Sequence, residues 1–260
     1  MRFKLTLKTY GKENILPINY QYEVASWIYK VLDQGDSEFA RWLHKNGYQS
    51  GKQYFKFFTF SHLNIPGKIR KVEGDRIYLK PGEVYLTISF LPEKASESFI
   101  IGLFKNTSAT FSDGKSWANF QVSQVEKLPA PQFRETMKFT TVSPLVISQP
   151  EEKNGKLNHK YLSPEDEGFE KLFRQNLVRK FNAREGAATM ETGTDFNFRL
   201  LSKPRKKGIT IKSNTKHPIK VIGYLFDFEL TAPKTLTETG YYGGFGDMNS
   251  QGFGCGEVGD

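Results

Sequence analysis

The stretch G-Y-Y-G-G-F-G-D-M-N-S-Q-G-F-G-C at residues 240–255 contains six glycines in sixteen positions. Glycine tolerates positive φ and lets backbone N–H groups approach a ligand without a Cβ in the way. Successive amides in such a loop can form a concave site that suits phosphate, and a tight structural loop is the alternative interpretation. The stretch is not a P-loop, because no Gly-Lys-Ser/Thr follows it. It is not a dinucleotide fingerprint either, because it follows a predicted helix and precedes the last strand.

The residues before this stretch show two runs of strand and helix patterns. In the first run, apolar alternation and aromatic enrichment predict strands at residues 2–8, 54–60, 84–90 and 120–125. Helical spacing predicts helices at residues 20–32 and 93–105, and between them a short helix that Asp36 caps and Asn46-Gly47 ends. A basic hairpin at residues 67–78 is interpreted as an insertion. The order β-α-β-β-α-β is that of a ferredoxin-like unit.

The second run repeats most of this order after a linker that contains two prolines. The predicted strands lie at residues 137–147, 196–202, 209–213, 219–230 and 253–258. Helices are predicted from the Ser163-Pro-Glu-Asp166 start signal and at residues 233–241. Residues 196–202 and 209–213 are expected to pair as a hairpin around residues 203–208. The fold class is therefore α+β, with tandem ferredoxin-like (RRM-like) domains at residues 1–126 and 135–260 and a linker at 127–134.

Composition and charge exclude several classes of protein. The 260 residues carry a net charge of +9, and aromatic residues make up 14%, which is enough for a core and favours a polyanionic partner. Cys255 is the single cysteine, so an internal disulfide framework and a cysteine zinc site are excluded. No apolar run is long enough to span a bilayer, and the N-terminus has no hydrophobic signal region. We therefore expect a cytoplasmic protein with no membrane partner.

Positive charge is concentrated between residues 201 and 220, which contain seven basic side chains and no acid. These side chains belong to Lys203, Arg205, Lys206, Lys207, Lys212, Lys216 and Lys220. A hairpin of that density can contact several phosphates of a nucleic acid. The alternative is a solvated turn that is kept soluble by its charge.

Residues 244–254, G-F-G-D-M-N-S-Q-G-F-G, resemble the signature of the CRISPR repeat-RNA processing endoribonucleases, the family-six Cas nucleases of the RAMP superfamily. Two Gly-aromatic-Gly steps joined by an acid, Asn and Ser carry this resemblance. It extends to residues 1–7, Ile28-Tyr29, Leu43-His44, K-F-F-T-F-S at 56–61 and T-V-S-P-L at 141–145. The resemblance implies tandem ferredoxin-like domains and cleavage within repeat RNA without a metal.

Metal-free RNA cleavage needs the ribose 2′-OH as nucleophile, a base, an acid for the leaving 5′-oxygen, and a cation for the phosphorane. The resemblance implies His44 as a general acid or base, Tyr29 as the complementary group and Lys56 as the cation. Because the stretch between His44 and Lys56 is longer than in relatives that use this triad, Lys52 is the alternative cation. No His, Asp and Glu cluster has metal-ligand spacing, so no metal or other cofactor is expected.

The four histidines differ in their sequence context. His44 is predicted in the last turn of the second helix, where the helix dipole favours a protonated ring; a helix-end histidine with no further role is the alternative. His62 follows a strand and is a weaker candidate for catalysis. His159 and His217 are expected in surface loops.

We therefore expect a metal-independent endoribonuclease that cleaves CRISPR precursor RNA within repeats and leaves 2′,3′-cyclic phosphate and 5′-OH ends. The residues expected to bind RNA are Lys203, Arg205, Lys206, Lys207, Gly244, Phe245, Gly246, Asn249, Ser250, Gly252 and Gly254. The alternative is a non-catalytic RAMP subunit that binds guide RNA in a CRISPR effector complex. A third interpretation is a generic RNA binder of the RRM type. The sequence lacks a recognisable RRM ribonucleoprotein motif, which counts against this interpretation. The sequence leaves open a homodimer and binding to other Cas effector subunits.

Overall fold

The computed structural model describes residues 1–153, 155–186, 190, 195–213 and 217–259. The N-terminal half contains strands β1 (Arg2–Thr9), β2 (Ile15–Pro17), β3 (Tyr48–Ser50), β4 (Gln53–Phe55), β5 (Phe58–Phe60), β6 (Arg70–Glu73), β7 (Arg76–Leu79), β8 (Glu83–Phe90), β9 (Ser108–Ser112) and β10 (Trp117–Lys127). Its helices are α1 (Gln21–Gly35), α2 (Ser37–Lys45) and α3 (Glu93–Lys105), together with a 3-10 helix at Gly67–Ile69.

The main sheet of this half has the strand order β5-β8-β1-β10-β9. β1 is its centre and pairs antiparallel with β8 and β10, so that Leu5 lies between Leu86 and Val125. Phe3, Leu5 and Leu7 are buried on one face, as their alternation predicts. The predicted helix at residues 93–105 is confirmed as α3.

Close contact between α1 and α3 explains why a glycine lies inside α3. A Cβ built on Gly102 would lie 1.9 Å from the backbone oxygen of Val31, and one built on Gly35 would lie 1.9 Å from that of Ser98. The two helices can therefore approach only because glycine stands at both crossing points. α2 begins where the sequence predicts, because the side chain of Asp36 accepts a 2.9 Å hydrogen bond from the amide of Phe39.

The C-terminal half contains strands β11 (Thr136–Thr141), β12 (Ser148–Lys153), β13 (Lys156–Tyr161), β14 (Asn197–Leu200), β15 (Arg205–Ile211), β16 (Ile219–Leu225), β17 (Asp227–Thr231) and β18 (Gly256–Val258). Its helices are α4 (Phe169–Glu185) and α5 (Lys234–Gly243), together with a 3-10 helix at Asn249–Gln251. The main sheet has the order β14-β17-β11-β18, and the hairpins β12–β13 and β15–β16 lie outside it.

Both sheets have the ferredoxin-like order once the inserted hairpins are set aside. The four strands of the unit are, in chain order, β1, β5, β8 and β10 in the N-terminal half and β11, β14, β17 and β18 in the C-terminal half. In each sheet the third strand lies between the first and the second, and the fourth lies on the other side of the first. The predicted fold class, tandem ferredoxin-like domains, is confirmed. The boundaries at residues 126 and 135 stay predictions. Within the described part of the chain, no helix combines the length and apolarity that a membrane span needs.

The predicted hairpin between residues 196–202 and 209–213 is wrong. β14 pairs with β17, whereas β15 pairs with β16. The physical reason is that the two strands serve different cores: Phe198 packs in the C-terminal core, while Ile209 and Ile211 belong to a smaller cluster with Val221. The basic residues are therefore spread along the β15–β16 hairpin: Lys203 precedes β15, residues 205–207 lie on it, Lys212 follows it, and Lys220 lies on β16.

Three further local signals were misleading. The Ser163–Asp166 signal does not start a helix, because the Asp166 carboxylate accepts a hydrogen bond from the Ser163 amide in a turn, and α4 begins at Phe169. The predicted strand at residues 219–230 is divided at Phe226, whose amide bonds to the side chain of Thr141. The predicted strand at residues 54–60 is interrupted at Phe57, which adopts a φ of 53°.

Candidate active site and RNA-binding surfaces

Tyr29 and His44 form a ring pair on neighbouring helices. Tyr29 lies on α1 and His44 in the last turn of α2, and their ring centroids are 4.9 Å apart at an interplanar angle of 84°. His44 is exposed, whereas Tyr29 is half-buried and packs edge-on against Phe58. Both rings line an open groove of about 870 Å³. A strand bound in this groove can therefore reach the imidazole.

The groove also contains cations that the sequence analysis did not select. Lys30 and Arg41 line it, next to Tyr29 and one helical turn before His44 respectively. Arg41 could have been selected from its spacing to His44, because residues three apart on a helix share a face. The groove thus places the rings of Tyr29 and His44 beside positively charged side chains.

The hydroxyl of Tyr29 is held in a protonated form. Burial raises the pKa of Tyr29 to about 12, and an interaction with the side chain of Ser250 opposes this shift only in part. The shift takes the phenol further from ionisation, so Tyr29 carries its proton near neutral pH. Ser250 belongs to the glycine-rich stretch, so this contact connects that stretch to the His44 groove.

Lys56 lies at the C-terminal end of α2. Its ammonium donates hydrogen bonds to the backbone oxygens of His44 at 2.9 Å and Asn46 at 3.1 Å. These are helix-end carbonyls, which need donors from outside the helix. Burial lowers the pKa of Lys56. Two of its three N–H groups are used in this way.

The hairpin β3–β4 accounts for the long interval between His44 and Lys56. It leaves the end of α2 through Gly47 and returns the chain to the same place at Lys56. Gly47 has a φ of +70°, and a Cβ built on it would lie 2.5 Å from the Phe55 oxygen, so glycine is needed there. Lys52 is exposed at the turn of this hairpin. The structure thus brings Lys56, and not Lys52, to the backbone of His44.

The glycine-rich loop is buried and uses much of its backbone in internal hydrogen bonds. The amides of Phe245 and Gly254 donate to the oxygens of Gly254 and Pro144, and that of Asp247 donates to Val146, all within 2.8 Å. The ring of Phe245 is fully buried, 5.0 Å from that of Phe139. Phe245 therefore fills the core and does not offer its ring to RNA. These three amides donate hydrogen bonds to carbonyl oxygens of the chain itself, so they are not free to bind a phosphate.

Close packing explains the loop's glycines. A Cβ on Gly254 would lie 1.8 Å from the Phe245 oxygen, and one on Gly246 would lie 2.3 Å from the Val146 oxygen. A Cβ on Gly244 would lie 2.5 Å from the side chain of Asn249. The tight structural loop is therefore the better description of this stretch. RNA binding by Gly244, Gly246, Asn249, Ser250, Gly252 and Gly254 stays a prediction.

Lys180 on α4 holds this loop, and the sequence analysis missed it. Its side chain is 1% exposed, and its ammonium donates to the oxygens of Gly244 at 2.5 Å and Gly246 at 2.6 Å and to the side-chain oxygen of Asn249 at 2.6 Å. Burial lowers the pKa of Lys180 to about 7. The signal was present: Lys180 continues the buried helical spacing of Phe173 and Leu177.

The loop also joins the two halves of the molecule. Thr59 in β5 donates a 2.9 Å hydrogen bond to the Phe253 oxygen, and the buried guanidinium of Arg2 donates a 2.7 Å bond to the Gly256 oxygen. A Cβ on Gly252 would lie 2.6 Å from the ring of Phe60. Lys56 and Ser250 line one cleft of about 230 Å³ between hairpin β3–β4 and the loop.

The predicted basic side chains form an exposed surface on and beside β15. Those that the structure describes are Lys203, Arg205, Lys206, Lys207, Lys212 and Lys220, and all are exposed. Lys216 lies outside the described residues. Arg205 borders a cleft of about 670 Å³ between the two halves, which Lys4 and Tyr85 also line, with the Lys4 ammonium 5.3 Å from the Tyr85 ring.

The remaining histidines lie outside the groove of Tyr29 and His44. His62 lines the cleft of Arg205, where burial lowers its pKa to about 4. His159 is exposed on β13 and not in a loop, and His217 is exposed. Among the described residues, no group of three His, Cys, Asp or Glu side chains could hold a metal ion.

The contacts of Lys180 predict that Lys180→Met lowers the free energy of unfolding by about 3 kcal/mol, because it leaves buried oxygens without their donor. Equilibrium unfolding in urea measures this change. Lys171→Met is the matched control on the exposed side of the same helix and should change the free energy of unfolding by less than about 0.5 kcal/mol. An equal loss in both variants would contradict a specific role for Lys180.

Two family models match the chain. The model of CRISPR-associated protein Cas6, N-terminal, matches residues 15–126, and that of CRISPR associated protein Cas6, C-terminal, matches residues 128–258. CRISPR-associated endoribonuclease Cas6 1 of Methanocaldococcus jannaschii is 31% identical over 259 residues, which cover 98% of this chain and 91% of the relative. CRISPR-associated endoribonuclease Cas6 of Pyrococcus furiosus is 24% identical over 261 residues, which cover 99% of this chain and 90% of the relative.

Solved structures agree with these matches over the whole chain. A structure described as CRISPR associated protein Cas6 has a TM-score of 0.78 at 29% identity and covers 100% of this chain and 99% of its own. A second, described as a RAMP protein binding different RNA substrates, has a TM-score of 0.82 at 24% identity and covers 100% of both chains. The Cas6 models, the 31% identical relative and the shared fold together lead to one conclusion: this chain belongs to the Cas6 family of CRISPR-associated proteins.

Proposed function

We propose that this protein is a metal-independent endoribonuclease that cleaves CRISPR precursor RNA within its repeats to produce guide RNAs in the cytoplasm. The observation that carries the proposal is the exposed His44 ring 4.9 Å from the protonated phenol of Tyr29, in a family whose relatives are named endoribonucleases. An imidazole exchanges protons near neutral pH, which is what proton transfer in RNA cleavage requires.

His44 and Tyr29 each carry out one of the two proton transfers. His44 removes the proton from the ribose 2′-OH, whose oxygen attacks the adjacent phosphorus. Tyr29 donates its proton to the leaving 5′-oxygen, which as an alkoxide is a stronger base than the phenolate even though burial raises the pKa of Tyr29 to about 12. The products are a 2′,3′-cyclic phosphate and a 5′-OH. The ribose supplies the nucleophile, so this route needs no metal-bound water.

Lys56 supplies the cation for the phosphorane. Hydrogen bonds to the carbonyls of His44 and Asn46 hold its ammonium, and its third N–H can point to a phosphate oxygen. Lys30 and Arg41 line the groove and can contact flanking phosphates. The exposed basic surface of β15 and the cleft of Arg205 extend the positive path for the RNA backbone.

One observation favours the alternative, a non-catalytic RAMP subunit that binds RNA. A relative from Pyrococcus horikoshii, 26% identical over 256 residues, is named a CRISPR-associated endoribonuclease-like protein, Cas6nc, and not an endoribonuclease. A binder needs the basic surface but has no use for the pairing of Tyr29 with His44. The experiments below distinguish the two functions.

We expect wild-type protein to cut repeat RNA in the presence of EDTA. His44→Ala should lower the single-turnover rate by about 10²–10⁴, which is the range for loss of one proton-transfer group, while RNA affinity stays unchanged. Gel analysis of the products and filter binding measure the two quantities. His159→Ala, another exposed histidine, is the matched control and should cut at the wild-type rate.

Three outcomes would count against this proposal. No cut by wild-type protein with normal RNA binding would favour the non-catalytic alternative. A cut that requires magnesium would exclude the metal-free route. An unchanged rate in His44→Ala would remove His44 from the site.

Lys56→Met should lower the single-turnover rate by about 10²-fold, a typical loss for one group that stabilises transition-state charge. Lys52→Met is the matched control, because Lys52 is exposed at the turn of the β3–β4 hairpin. Comparing the two rates at saturating protein decides between the two lysines. A larger loss in Lys52→Met would transfer the role to Lys52.

A further inference from the structure

A small cleft lies beside Lys56, between the β3–β4 hairpin and the glycine-rich loop. Its volume is about 230 Å³, and it is lined by residues 53–56 from the hairpin and by residues 246–250 from the loop. Pockets that take a whole small molecule usually measure about 300–1,000 Å³. The cleft therefore suits a single planar ring system better than a complete nucleotide.

Tyr54 provides an unused aromatic ring on the hairpin side of this cleft. The residue is 55% exposed, and within the described part of the chain its ring packs against no other aromatic ring. Its neighbour Phe55 is half-buried and stacks on Phe57, with ring centroids 5.7 Å apart and an interplanar angle of 9°. A ring that takes no part in core packing is available to stack on a nucleobase, because every base has a π-face.

The backbone is strained at two residues that line the cleft. Phe57 and Met248 have φ values of 53° and 58°, and both contribute to its walls. They are two of the three residues other than glycine that have a positive φ among the described residues. Such conformations cost free energy and are concentrated at sites that hold a ligand. This strain favours a binding site over a merely solvated hairpin.

We propose that the cleft binds the base of the nucleotide that follows the scissile phosphate, between the Tyr54 ring and the Met248 side chain. The inference rests on the proposed function, because the reaction fixes the direction of the RNA. Tyr29 donates its proton to the 5′-oxygen of this nucleotide, and its hydroxyl interacts with Ser250. Ser250 also lines the cleft. The base of this nucleotide is therefore the one that lies nearest to the cleft.

The nucleotide before the scissile phosphate is directed elsewhere. Its 2′-OH lies at His44, whose ring lines the groove that also contains Lys30 and Arg41. That groove and the cleft have no lining residue in common. The two nucleotides on either side of the cut are thus received by two separate surfaces, which lie next to His44 and next to Ser250 respectively.

Each wall of the cleft offers the base a different contact. Tyr54 offers a stacking face, and Met248 offers a polarizable thioether, which packs favourably against a ring. The exposed side-chain amide of Gln53 can both donate and accept a hydrogen bond at the edge of the base. Because Lys56 lines the same cleft, the base and the phosphate of one nucleotide are held together. This arrangement positions the 5′-oxygen beside Tyr29.

Binding of repeat RNA that lacks this one base tests the proposal. The RNA also carries a 2′-deoxy nucleotide before the scissile phosphate, so that it is not cut during the measurement. With the wild-type protein, the abasic nucleotide should weaken affinity by about fivefold to 150-fold, which is the range for one base–aromatic stack. Tyr54→Ala should weaken binding of the RNA that keeps all its bases by a similar factor. It should lose little more with the abasic RNA, because the ring and the base form a single contact.

Filter binding of both RNAs to each variant gives the dissociation constants. Tyr54→Phe keeps the stacking ring and should bind within about twofold of the wild type. Tyr10→Ala is the matched control, because Tyr10 is 45% exposed directly after β1 and outside the cleft. It should bind as the wild type does and keep the full effect of the abasic nucleotide.

Two results would overturn the inference. The first is that the losses from Tyr54→Ala and from the abasic nucleotide multiply, because the ring and the base would then act independently. The second is that Tyr54 is coupled to the base before the scissile phosphate instead. Cleavage of the all-ribose RNA by the same wild-type preparation tests the proposed function separately. A protein that cuts but shows no coupling at Tyr54 would therefore contradict this inference alone.

Discussion

A single buried ammonium holds together the part of the molecule on which the candidate site depends. In its protonated form, Lys180 gives all three of its N–H groups to the glycine-rich loop, at Gly244, Gly246 and Asn249. Asn249 in turn donates hydrogen bonds to the oxygens of Phe245 and Phe253. Such a network is stable in a low-dielectric interior only when each group is paired. The loop is therefore a rigid element, although glycine is the most flexible residue.

This rigid loop connects the two ferredoxin-like halves and completes the candidate site. It meets the N-terminal half at Thr59 and Phe60, and its Ser250 reaches the hydroxyl of Tyr29. The phenol is thus oriented from the C-terminal half, while His44 is positioned by α2, whose last carbonyls bind Lys56. The proposed chemistry therefore lies in the N-terminal half, and its geometry depends on both halves.

Local patterns predicted the elements that have one clear apolar face, such as β1 with Phe3 and Leu5 and the helix that Asp36 caps. They failed where partners had to be chosen, because nothing in residues 196–213 says that β14 pairs with β17 and β15 with β16. Lys180 was missed although it continues the helical spacing of Phe173 and Leu177, because that spacing alone does not show that a lysine is buried. The resemblance identified Tyr29 and His44 as candidates, but only the fold shows that their rings are in contact.

The central claim is that the ribose of the transcript supplies the nucleophile while His44 and Tyr29 move the protons. Replacing the scissile nucleotide of a repeat RNA by its 2′-deoxy form tests this claim most directly. The account predicts that the modified RNA binds with unchanged affinity and is not cut, whereas the all-ribose RNA is cut under the same conditions. Cleavage of the deoxy substrate at the same position would contradict it, because water would then be the nucleophile.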